Sequence, residues 1–458
     1  MSASSAATGI ERLRVSKVAV WGAGVEGIEV AKAALSRGAE VVLVDDWLGE
    51  ASAVSVDGVA VPLLAPDALV EGHFDCVVRS PGVPVYRDEL HKLMAAGSVV
   101  TTATAMWLED FSDRRVIGVT GTKGKTTTAW FTALALEALG LDVRLGGNMG
   151  TPLTALYDEK PSDVYVVEVS SFQGADVRVS PPVGVLTLLA PDHLDWHGSY
   201  ERYVRDKLNL FDHRPDLALA VASSSADAVD RTAGYERRVL YGGAGRLTVD
   251  PRGVMLDGSL FLDVDTSTRL WRGEHNRVNL CGALTACLLE EGDLPSSESL
   301  GQALGKMPVL PSRLQSVGTC GGIEFVNDAL ASNPAGTIAA LRTFEGRPIC
   351  LIVGGQDRGV DLDPLVRVLN DLSPPPRVVS LPDLGARLSG ELTASGSPIS
   401  CVPAPGVHEA VKLARTLIGE EGVVLFSPAA PTPRVEGTYV QRGKAFNEAV
   451  AEIGASDA

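Results

Sequence analysis

The chain has 458 residues and a formal net charge of −17 at pH 7. A chain of this length exceeds what one hydrophobic core usually supports, so we expect two or three domains. The negative charge argues against a nucleic-acid-binding protein. The six cysteines lack paired or metal-type spacing, which indicates reduced thiols in apolar surroundings. The sequence shows neither a secretory leader pattern nor an apolar stretch of membrane-spanning length, so we expect a cytoplasmic protein without membrane insertion.

The first region resembles a nucleotide-binding α/β unit. A predicted strand over residues 18–21 leads into a glycine-rich turn, and a helix and a second strand follow, ending in an acidic residue. This order fits a dinucleotide fingerprint, although the glycines could equally serve only to pack the helix on the strand. A second turn after the strand at 76–79 offers further backbone amides. The candidate ligand contacts are Gly22, Gly24, Gly27, Asp45 and Ser80.

A second glycine turn follows the apolar residues 116–120 and ends in Gly-Lys-Thr, ahead of a stretch with helical apolar spacing. Backbone amides in such a turn converge on phosphate oxygens, while Lys125 reaches the β- and γ-phosphates and the Thr126 hydroxyl holds Mg²⁺. The common form of this loop has a glycine where this chain has Val119, so the loop is a shortened variant. The alternative is an ordinary strand-to-helix turn. The candidate phosphate contacts are Gly121, Thr122, Lys123, Gly124, Lys125, Thr126 and Thr127.

Two later strands of this region end in polar residues. Glu168 closes the apolar strand at 164–169, where a charge is costly unless it pairs or binds a metal. The strand at 184–189 is followed by His193, Asp195 and His197, which have a spacing that suits a metal. Mg²⁺ fits better than Zn²⁺ because no thiolates cluster there. The open alternatives are a salt bridge for Glu168, and capping of the helix near Tyr200 for the other three.

The remaining third of the chain again alternates strands and helices, with polar or glycine-rich loops after the strands at 323–326, 349–353 and 422–426. We therefore predict an α/β fold with three domains. Residues 1–114 form a Rossmann-like domain, residues 115–306 a central P-loop ATPase-type domain with a parallel sheet, and residues 307–458 a second Rossmann-like domain. We expect the second and third domains to face each other across a cleft.

Eight segments, in this order, resemble those of the Mur ligase family, the ATP-dependent amide-forming enzymes of bacterial cell-wall precursor synthesis. They are Thr120-Gly-Thr-Lys-Gly-Lys-Thr-Thr-Thr128, Gly147-Asn-Met-Gly150, Glu168-Val-Ser-Ser-Phe-Gln173, His193-Leu-Asp-Trp-His197, Tyr203-Val-Arg-Asp-Lys207, His275-Asn-Arg-Val-Asn279, Arg313 and Asn327-Asp328. The glycine turn of the first region, together with segments 427–429 and 441–443, resembles the branch that adds glutamate to UDP-N-acetylmuramoyl-L-alanine.

The resemblance implies a role for each motif. It implies ATP and Mg²⁺ as cofactors, with a carbamylated Lys207 serving as an anionic metal ligand. The implied catalytic residues are Lys125, Glu168, His193 and Lys207, and the implied metal ligands are Thr126, Glu168, His193 and Lys207. The implied ATP contacts outside the loop are Asn276, Asn279, Arg313 and Asp328. The first-region turn, with Asn148, would hold the UDP moiety rather than NAD. We expect a monomer.

The amino acid that is joined is the open point. Enzymes that add D-glutamate usually carry a lysine where this chain has Leu330, a lysine where it has Arg358, and a different segment where it has Thr432. These departures resemble the subgroup that adds L-glutamate, which we favour over D-glutamate. The predicted glutamate contacts are Ser332, Arg358, Thr432 and Tyr439.

Two other classes of function are weaker. A nicotinamide-dependent oxidoreductase would use the turn at Gly22 but would leave the phosphate loop, Glu168 and Lys207 without a purpose. A regulatory protein that has lost catalysis is disfavoured because the implied catalytic residues are all present.

Overall fold

The structure, a computed structural model, describes residues 7–46, 52–148, 151–157, 160–266, 268, 270–271, 274–307 and 312–454. Met149 and Gly150 of one predicted motif therefore lie outside the described residues. The chain forms two compact units, Met1–Met307 and Pro308–Ala458. Within the described ranges the strands form three six-stranded sheets and one three-stranded sheet.

The first sheet has the strand order β3-β4-β2-β1-β5-β6. Its strands are β1 (Lys17–Trp21), β2 (Glu40–Val44), β3 (Ala53–Val56), β4 (Val59–Leu64), β5 (Cys76–Arg79) and β6 (Val99–Thr101). They alternate with the helices α1 (Val25–Ser36), α2 (Asp67–Glu71), α3 (Asp88–Ala95) and α4 (Ala103–Asp110). All pairs are parallel except β3 with β4. A 3-10 helix, Gly9–Leu13, precedes β1.

The central sheet has the order β12-β11-β10-β7-β9-β8 and is parallel throughout. Its strands are β7 (Val116–Thr120), β8 (Val143–Gly147), β9 (Val164–Glu168), β10 (Val183–Leu186), β11 (Ala218–Ala222) and β12 (Arg237–Tyr241). The helices among them are α5 (Lys125–Ala138), α6 (Ser171–Gly174), α7 (Leu194–His197), α8 (Tyr200–Leu208) and α9 (Ala226–Arg231). A three-stranded antiparallel sheet and two helices follow: β13 (Leu247–Asp250), β14 (Gly253–Leu256), β15 (Ser259–Asp263), α10 (Glu274–Glu291) and α11 (Ser297–Leu304).

The central sheet is buried on both faces, which explains why its strands are nearly continuous apolar runs. Ile117 and Val119 of β7 belong to a core that includes α5 and α10, whereas Val116 belongs to a second core on the other face. The helix α4 contributes to two cores: Met106 packs with the first sheet, and Trp107 packs in the second core of the central sheet. This helix therefore joins the first and central sheets.

The sheet of the second compact unit has the order β16-β17-β21-β18-β19-β20. Its strands are β16 (Gln315–Cys320), β17 (Ile323–Asn327), β18 (Ile349–Gly355), β19 (Arg377–Asp383), β20 (Cys401–Pro403) and β21 (Gly422–Phe426). Its helices are α12 (Pro334–Thr343), α13 (Asp363–Asp371), α14 (Leu384–Ala394), α15 (Val407–Ile418) and α16 (Tyr439–Glu452). Only the pair formed by β16 and β17 is antiparallel in the described part of this sheet.

The predicted α/β fold class is confirmed, and the predicted strands lie within a few residues of the observed ones. The division into three domains stays a prediction. All six cysteines are free, and four of them are buried: Cys76, Cys281, Cys287 and Cys350. Among the described residues, no helix has both the length and the apolar character needed to cross a membrane.

Candidate active site

The phosphate loop lies between β7 and α5, at the carboxyl end of a central strand. Gly121 has a φ of +148° and Gly124 a φ of +90°, conformations that side chains rarely adopt. A Cβ at Gly121 would lie 1.8 Å from Oγ1 of Thr187, and one at Gly124 would lie 2.5 Å from Oδ1 of Asn279. Both glycines are therefore required by the backbone conformation and by the close approach of neighbouring side chains. The loop leads into α5, so its amides and the helix N-terminus form an anion-binding arrangement.

Two lysines donate to one carbonyl of this loop. Nζ of Lys125 lies 2.9 Å from the carbonyl oxygen of Gly121 and 3.2 Å from that of Thr122. Nζ of Lys207, from α8, lies 2.9 Å from the same Gly121 oxygen. Burial lowers the pKa of Lys207 well below its ordinary value, and the positive charge of Lys125 lowers it further. The site thus places the Lys125 ammonium and the loop amides where an anionic phosphate would bind, whereas the lowered pKa of Lys207 favours its neutral amine.

Glu168 ends β9, the strand next to β7, and its side chain is buried. Oε1 accepts a hydrogen bond of 2.9 Å from Nδ2 of Asn148. Oε2 is also buried but has no hydrogen-bond partner among the described residues. A buried carboxylate oxygen without a donor is unfavourable unless a cation satisfies it. Glu168 therefore fits a metal ligand, and Asn148 orients its carboxylate.

His193 precedes α7 with a φ of +52°. Burial lowers the pKa of His193 to about 4, against the opposing effect of Asp192. The imidazole is therefore neutral near pH 7, which is the form that can bind a metal. Within the described residues, His, Cys, Asp and Glu side chains form no cluster of three or more suited to a metal.

The alternative in which a residue of the 193–197 segment caps α8 is wrong. The N-cap of that helix is Ser199, whose Oγ accepts the amide of Arg202. His197 is instead buried and hydrogen-bonded to Asp206 and Ser171. Sequence spacing could not reveal these contacts, because they join three separate helices.

The paired asparagines of α10 lie beside the phosphate loop. Nδ2 of Asn279 is 3.3 Å from Oδ1 of Asn276, whose own Nδ2 donates to the carbonyl of Leu270 at 2.8 Å. The Asn279 side chain also borders Gly124. The structure thus places Asn279 beside the loop and Asn276 in contact with Asn279.

The predicted nucleotide-sugar residues of the first sheet converge at the carboxyl ends of β1, β2 and β5. A Cβ at Gly22 would lie 2.5 Å from Oγ of Ser80, and one at Gly27 would lie 1.8 Å from the Gly22 carbonyl oxygen. Asp45 accepts the amide of Ala23 at 3.1 Å. Gly24 differs, because a Cβ there would meet no atom of the described chain within 4 Å. Close packing therefore explains the glycines at positions 22 and 27, whereas the backbone at Gly24 leaves open space beside it.

Asp328 occupies the carboxyl end of β17 in the second compact unit. Its Oδ2 accepts from Oγ of Ser427 at 2.7 Å, and its Oδ1 accepts from the amide of Leu314 at 3.1 Å. Arg313 immediately precedes Leu314, so Arg313 and Asp328 lie at the same end of the sheet.

The predicted glutamate contacts lie in loops that leave the carboxyl edge of this sheet or at the start of a helix. Ser332 follows β17, Arg358 follows β18, Thr432 follows β21, and Tyr439 is the first residue of α16. Arg358 is exposed and the other three are half-buried. Ligands of parallel α/β sheets bind at this edge.

Arg442 of α16 is a charged residue of this unit that the sequence did not single out as a ligand contact. Its guanidinium is buried, and burial lowers its pKa. Nε lies 2.7 Å from Oε2 of Glu436, while Nη1 has no hydrogen-bond partner among the described residues.

Comparison with known proteins agrees with this geometry. The family model described as Mur ligase middle domain matches residues 119–287. A protein of a Micromonospora species named UDP-N-acetylmuramoyl-L-alanine–L-glutamate ligase is 36% identical, covering 96% of this chain and 97% of its own. A protein of the same name from Salinispora tropica is 37% identical, covering 96% of this chain and 98% of its own.

Solved structures share the fold at lower identity. The UDP-N-acetylmuramate-alanine ligase of Thermotoga maritima has a TM-score of 0.62 and 18% identity, covering 96% of this chain and all of its own. A MurF ligase from the same organism, in complex with ADP, has a TM-score of 0.59 and 18% identity, covering 99% of this chain and all of its own. These two structures support the fold, and the curated relatives confirm the resemblance drawn from the motifs. The chain belongs to the Mur ligase family.

Proposed function

We propose that this protein joins L-glutamate to UDP-N-acetylmuramoyl-L-alanine in an ATP-dependent amide ligation, a step in the synthesis of the peptidoglycan precursor. One geometric observation carries the proposal. The carbonyl oxygen of Gly121 accepts hydrogen bonds from Lys125 and Lys207. The neighbouring strand ends in Glu168, whose buried Oε2 has no hydrogen-bond partner among the described residues. This arrangement suits phosphoryl transfer, which needs positioning and charge neutralisation more than covalent help. The names of the curated relatives supply the substrates.

Amide formation from a carboxylate requires an activated acyl group. In the proposed reaction the γ-phosphoryl group of ATP passes to the carboxylate of the nucleotide sugar, giving an acyl phosphate and ADP. The amine of glutamate attacks the acyl carbon, and phosphate leaves. The loop amides and Lys125 would hold the ATP phosphates, so that the reacting oxygen and phosphorus are aligned before transfer.

Thr126, Glu168, His193 and a carbamylated Lys207 would hold Mg²⁺. When bound, Mg²⁺ would neutralise charge on the phosphate oxygens. The buried oxygen of Glu168 and the neutral imidazole of His193 fit this role. Carbamylation requires a neutral amine, and the lowered pKa of Lys207 supports it.

The remaining contacts follow the predicted motifs. Asn276, Asn279, Arg313 and Asp328 would bind the nucleoside and phosphates of ATP. The UDP moiety would lie against Gly22, Gly24, Gly27, Asp45, Ser80 and Asn148. Glutamate would contact Ser332, Arg358, Thr432 and Tyr439. We also propose that the enzyme acts as a monomer in the cytoplasm, which the strong net negative charge of the chain supports.

The preference for L-glutamate over D-glutamate has two supports. The relatives reported above carry L-glutamate in their names. Leu330 and Arg358 stand where D-glutamate enzymes usually carry lysines. An arginine binds a carboxylate through two parallel hydrogen bonds, whereas a lysine presents a point charge. This pocket would therefore contact its amino acid differently from the pocket of a D-glutamate enzyme.

A phosphate-release assay tests the activity and the stereochemistry together. We expect release from ATP only when Mg²⁺, UDP-N-acetylmuramoyl-L-alanine and L-glutamate are all present, and at least tenfold slower release with D-glutamate. Mass spectrometry of the product would give the added glutamyl mass. Faster turnover with D-glutamate would overturn the stereochemical assignment. Oxidation or reduction of a nicotinamide cofactor, without dependence on these substrates, would instead favour an oxidoreductase.

A further inference from the structure

His197 is fully buried and uses both ring nitrogens. Nδ1 lies 2.7 Å from Oδ2 of Asp206, and Nε2 lies 3.0 Å from Oγ of Ser171. Because a carboxylate only accepts, Nδ1 carries the proton and donates to Asp206. In the neutral ring, Nε2 then accepts from the Ser171 hydroxyl. The imidazole thus bonds to both Asp206 and Ser171. Without it, each of these two buried side chains would lose a hydrogen-bond partner.

The three helices connected by His197 are those that adjoin the candidate metal ligands. Ser171 begins α6, directly after the strand that Glu168 ends. His197 itself ends α7, whose N-cap is His193. Asp206 lies on α8 next to Lys207. Adjacent helical residues point about 100° apart, so α8 can present Asp206 to His197 and Lys207 to the phosphate loop at the same time.

The ring of His197 also packs within an aromatic cluster. It stacks on Phe172 with a centroid distance of 5.6 Å and meets Tyr203 edge-on at 5.2 Å. Phe172 contacts the ring of His193 in turn, at 4.7 Å. Ring packing and hydrogen bonding are therefore separate contributions of His197, and substitutions can separate them.

The network continues into the first sheet. The hydroxyl of Tyr86, in the segment between β5 and α3, donates to Oδ2 of Asp206 at 2.5 Å. Nη2 of Arg79, at the end of β5, donates to the carbonyl of Phe172 at 2.9 Å, and Arg79 also pairs with Asp176. Arg79 at the end of β5 and Tyr86 in the segment after it therefore contact the segments around His197.

We propose that His197 is a positioning residue, which holds the segments bearing Glu168, His193 and Lys207 at the spacing that one catalytic centre requires. Tyr86 connects this spacing to the part of the chain that would bind the nucleotide sugar. The inference rests on the proposed function. A Ser-His-Asp series is also the arrangement of a nucleophilic triad. The His197 ring, fully buried and packed between Phe172 and Tyr203, serves in this proposal to hold the helices and not to activate Ser171.

Two substitutions separate the hydrogen bonds from the packing. His197→Phe keeps an aromatic ring and removes both bonds, whereas His197→Gln keeps one donor and one acceptor and removes the ring. We expect His197→Phe to lower kcat about 10- to 100-fold and to raise the Mg²⁺ concentration for half-maximal rate, as loss of the groups that orient metal ligands does. The KM for the nucleotide sugar should change less than twofold. His197→Gln should recover most of the loss.

A matched control is His213→Phe, because His213 is exposed and its Nε2 lies 3.1 Å from Oδ1 of Asn209, outside the candidate site. Wild-type kinetics and Mg²⁺ dependence in His197→Phe would overturn the proposal. Equal losses of kcat in His197→Phe and His197→Gln, in proportion to the fall in their melting temperatures, would also overturn it. That pattern would indicate a packing role alone. If His197→Phe does not fold, Ser171→Ala removes one bond and should shift the Mg²⁺ dependence in the same direction, and no shift would overturn the proposal.

A binding measurement keeps this inference distinct from the proposed function. Calorimetry of a non-hydrolysable ATP analogue with Mg²⁺ needs no turnover. We expect at least a tenfold weaker Mg²⁺-dependent affinity in His197→Phe and an unchanged affinity in His213→Phe. If wild-type enzyme releases no phosphate with glutamate but this difference holds, the proposed function fails and the positioning role stands. Equal affinities in both variants would reject the positioning role.

Discussion

At the scale of single residues, burial rather than residue type sets the charge state of several side chains in the first compact unit. Lys207 and His193 both have pKa values lowered by burial, which favours the neutral amine and the neutral imidazole. Glu26, in the first turn of α1, is an acid whose pKa shifts in the opposite direction. Burial raises the pKa of Glu26 from 4.5 to about 7, although the charge of Arg79 opposes this. Protonation state is therefore information that residue identity alone does not carry.

Glu26→Gln should make the stability of the protein less dependent on pH. The folded state holds the Glu26 proton more tightly than the unfolded state, so stability is greatest below pH 4.5 and falls as pH rises towards 7. Glutamine does not titrate, so the variant does not lose stability in this way as pH rises. We therefore expect the unfolding free energy of Glu26→Gln, relative to that of the wild type, to increase by about 1–2 kcal/mol between pH 5 and pH 8. This range allows for the partial exposure of Glu26.

Urea unfolding at several pH values measures this change. Glu29→Gln, one turn further along α1, is the control, because Glu29 pairs with Lys32 at 2.9 Å and is about one-third exposed. The control should lack the trend. A stability difference for Glu26→Gln that stays constant over this pH range would contradict the assignment.

At the scale of elements, the helix α4 connects two hydrophobic cores. Its Met106 packs with the first sheet, and its Trp107 packs with the central sheet. The helix is also bonded at its far end, where Glu109 accepts the amide of Gly9 and pairs with Arg12. Loss of α4 would therefore expose apolar surface of both sheets.

Thr102→Val should destabilise this connection. Thr102 is the N-cap of α4, is fully buried, and accepts the amide of Ala105 at 3.0 Å. Valine has the same shape but no acceptor, which leaves a buried amide unsatisfied and should cost about 1–2 kcal/mol of unfolding free energy. Thr102→Ser keeps the acceptor and loses one methyl group, so it should cost less, under about 1 kcal/mol. Thermal and urea unfolding would measure both, and a larger loss for serine would disprove the capping account.

The sequence predicted elements well where one local pattern decides them. The phosphate loop, the strand ending in Glu168 and the turn at Gly22 all lie where their glycine and apolar patterns indicate. The pairing of His197 with Asp206 depends on how α7 packs against α8, and it has no local signature. The Asn148 bond to Glu168 likewise depends on the adjacency of β8 and β9. Tertiary contacts of this kind could not be predicted from spacing.

At the scale of the whole molecule, the motifs that carry the family resemblance are distributed over both compact units. The phosphate loop and Lys207 lie in Met1–Met307, whereas Arg313, Asp328 and the predicted glutamate contacts lie in Pro308–Ala458. The order of motifs along the chain was sufficient to predict the family. The motifs do not predict how the two units are arranged.

Thiol labelling should report how the units open. Burial raises the pKa of four thiols to about 12, namely Cys76, Cys281, Cys287 and Cys350. In native protein we expect alkylation only at the half-buried Cys320 and Cys401, and slower alkylation at Cys401 because burial raises its pKa as well. In rising urea, Cys76 should become reactive together with Cys281 and Cys287, because α4 joins their sheets, while Cys350 follows the opening of its own unit.

Pulsed alkylation followed by peptide mass spectrometry gives the midpoint for each cysteine. Coincident midpoints for Cys76 and Cys281 would support cooperative opening of the first and central sheets. A midpoint for Cys76 at clearly lower urea would indicate that the first sheet opens alone.

Because α4 packs in two hydrophobic cores, it limits where this enzyme could be joined to a relative in a chimera. A chimera joined in the loop after α4 would carry Trp107 and Leu108 into a molecule whose central core had evolved against a different helix. A chimera joined before Thr102 would keep those two residues with the core they fill, but would separate Met106 from the first sheet. Neither joint is neutral, so the first two sheets of this chain are best exchanged as one piece.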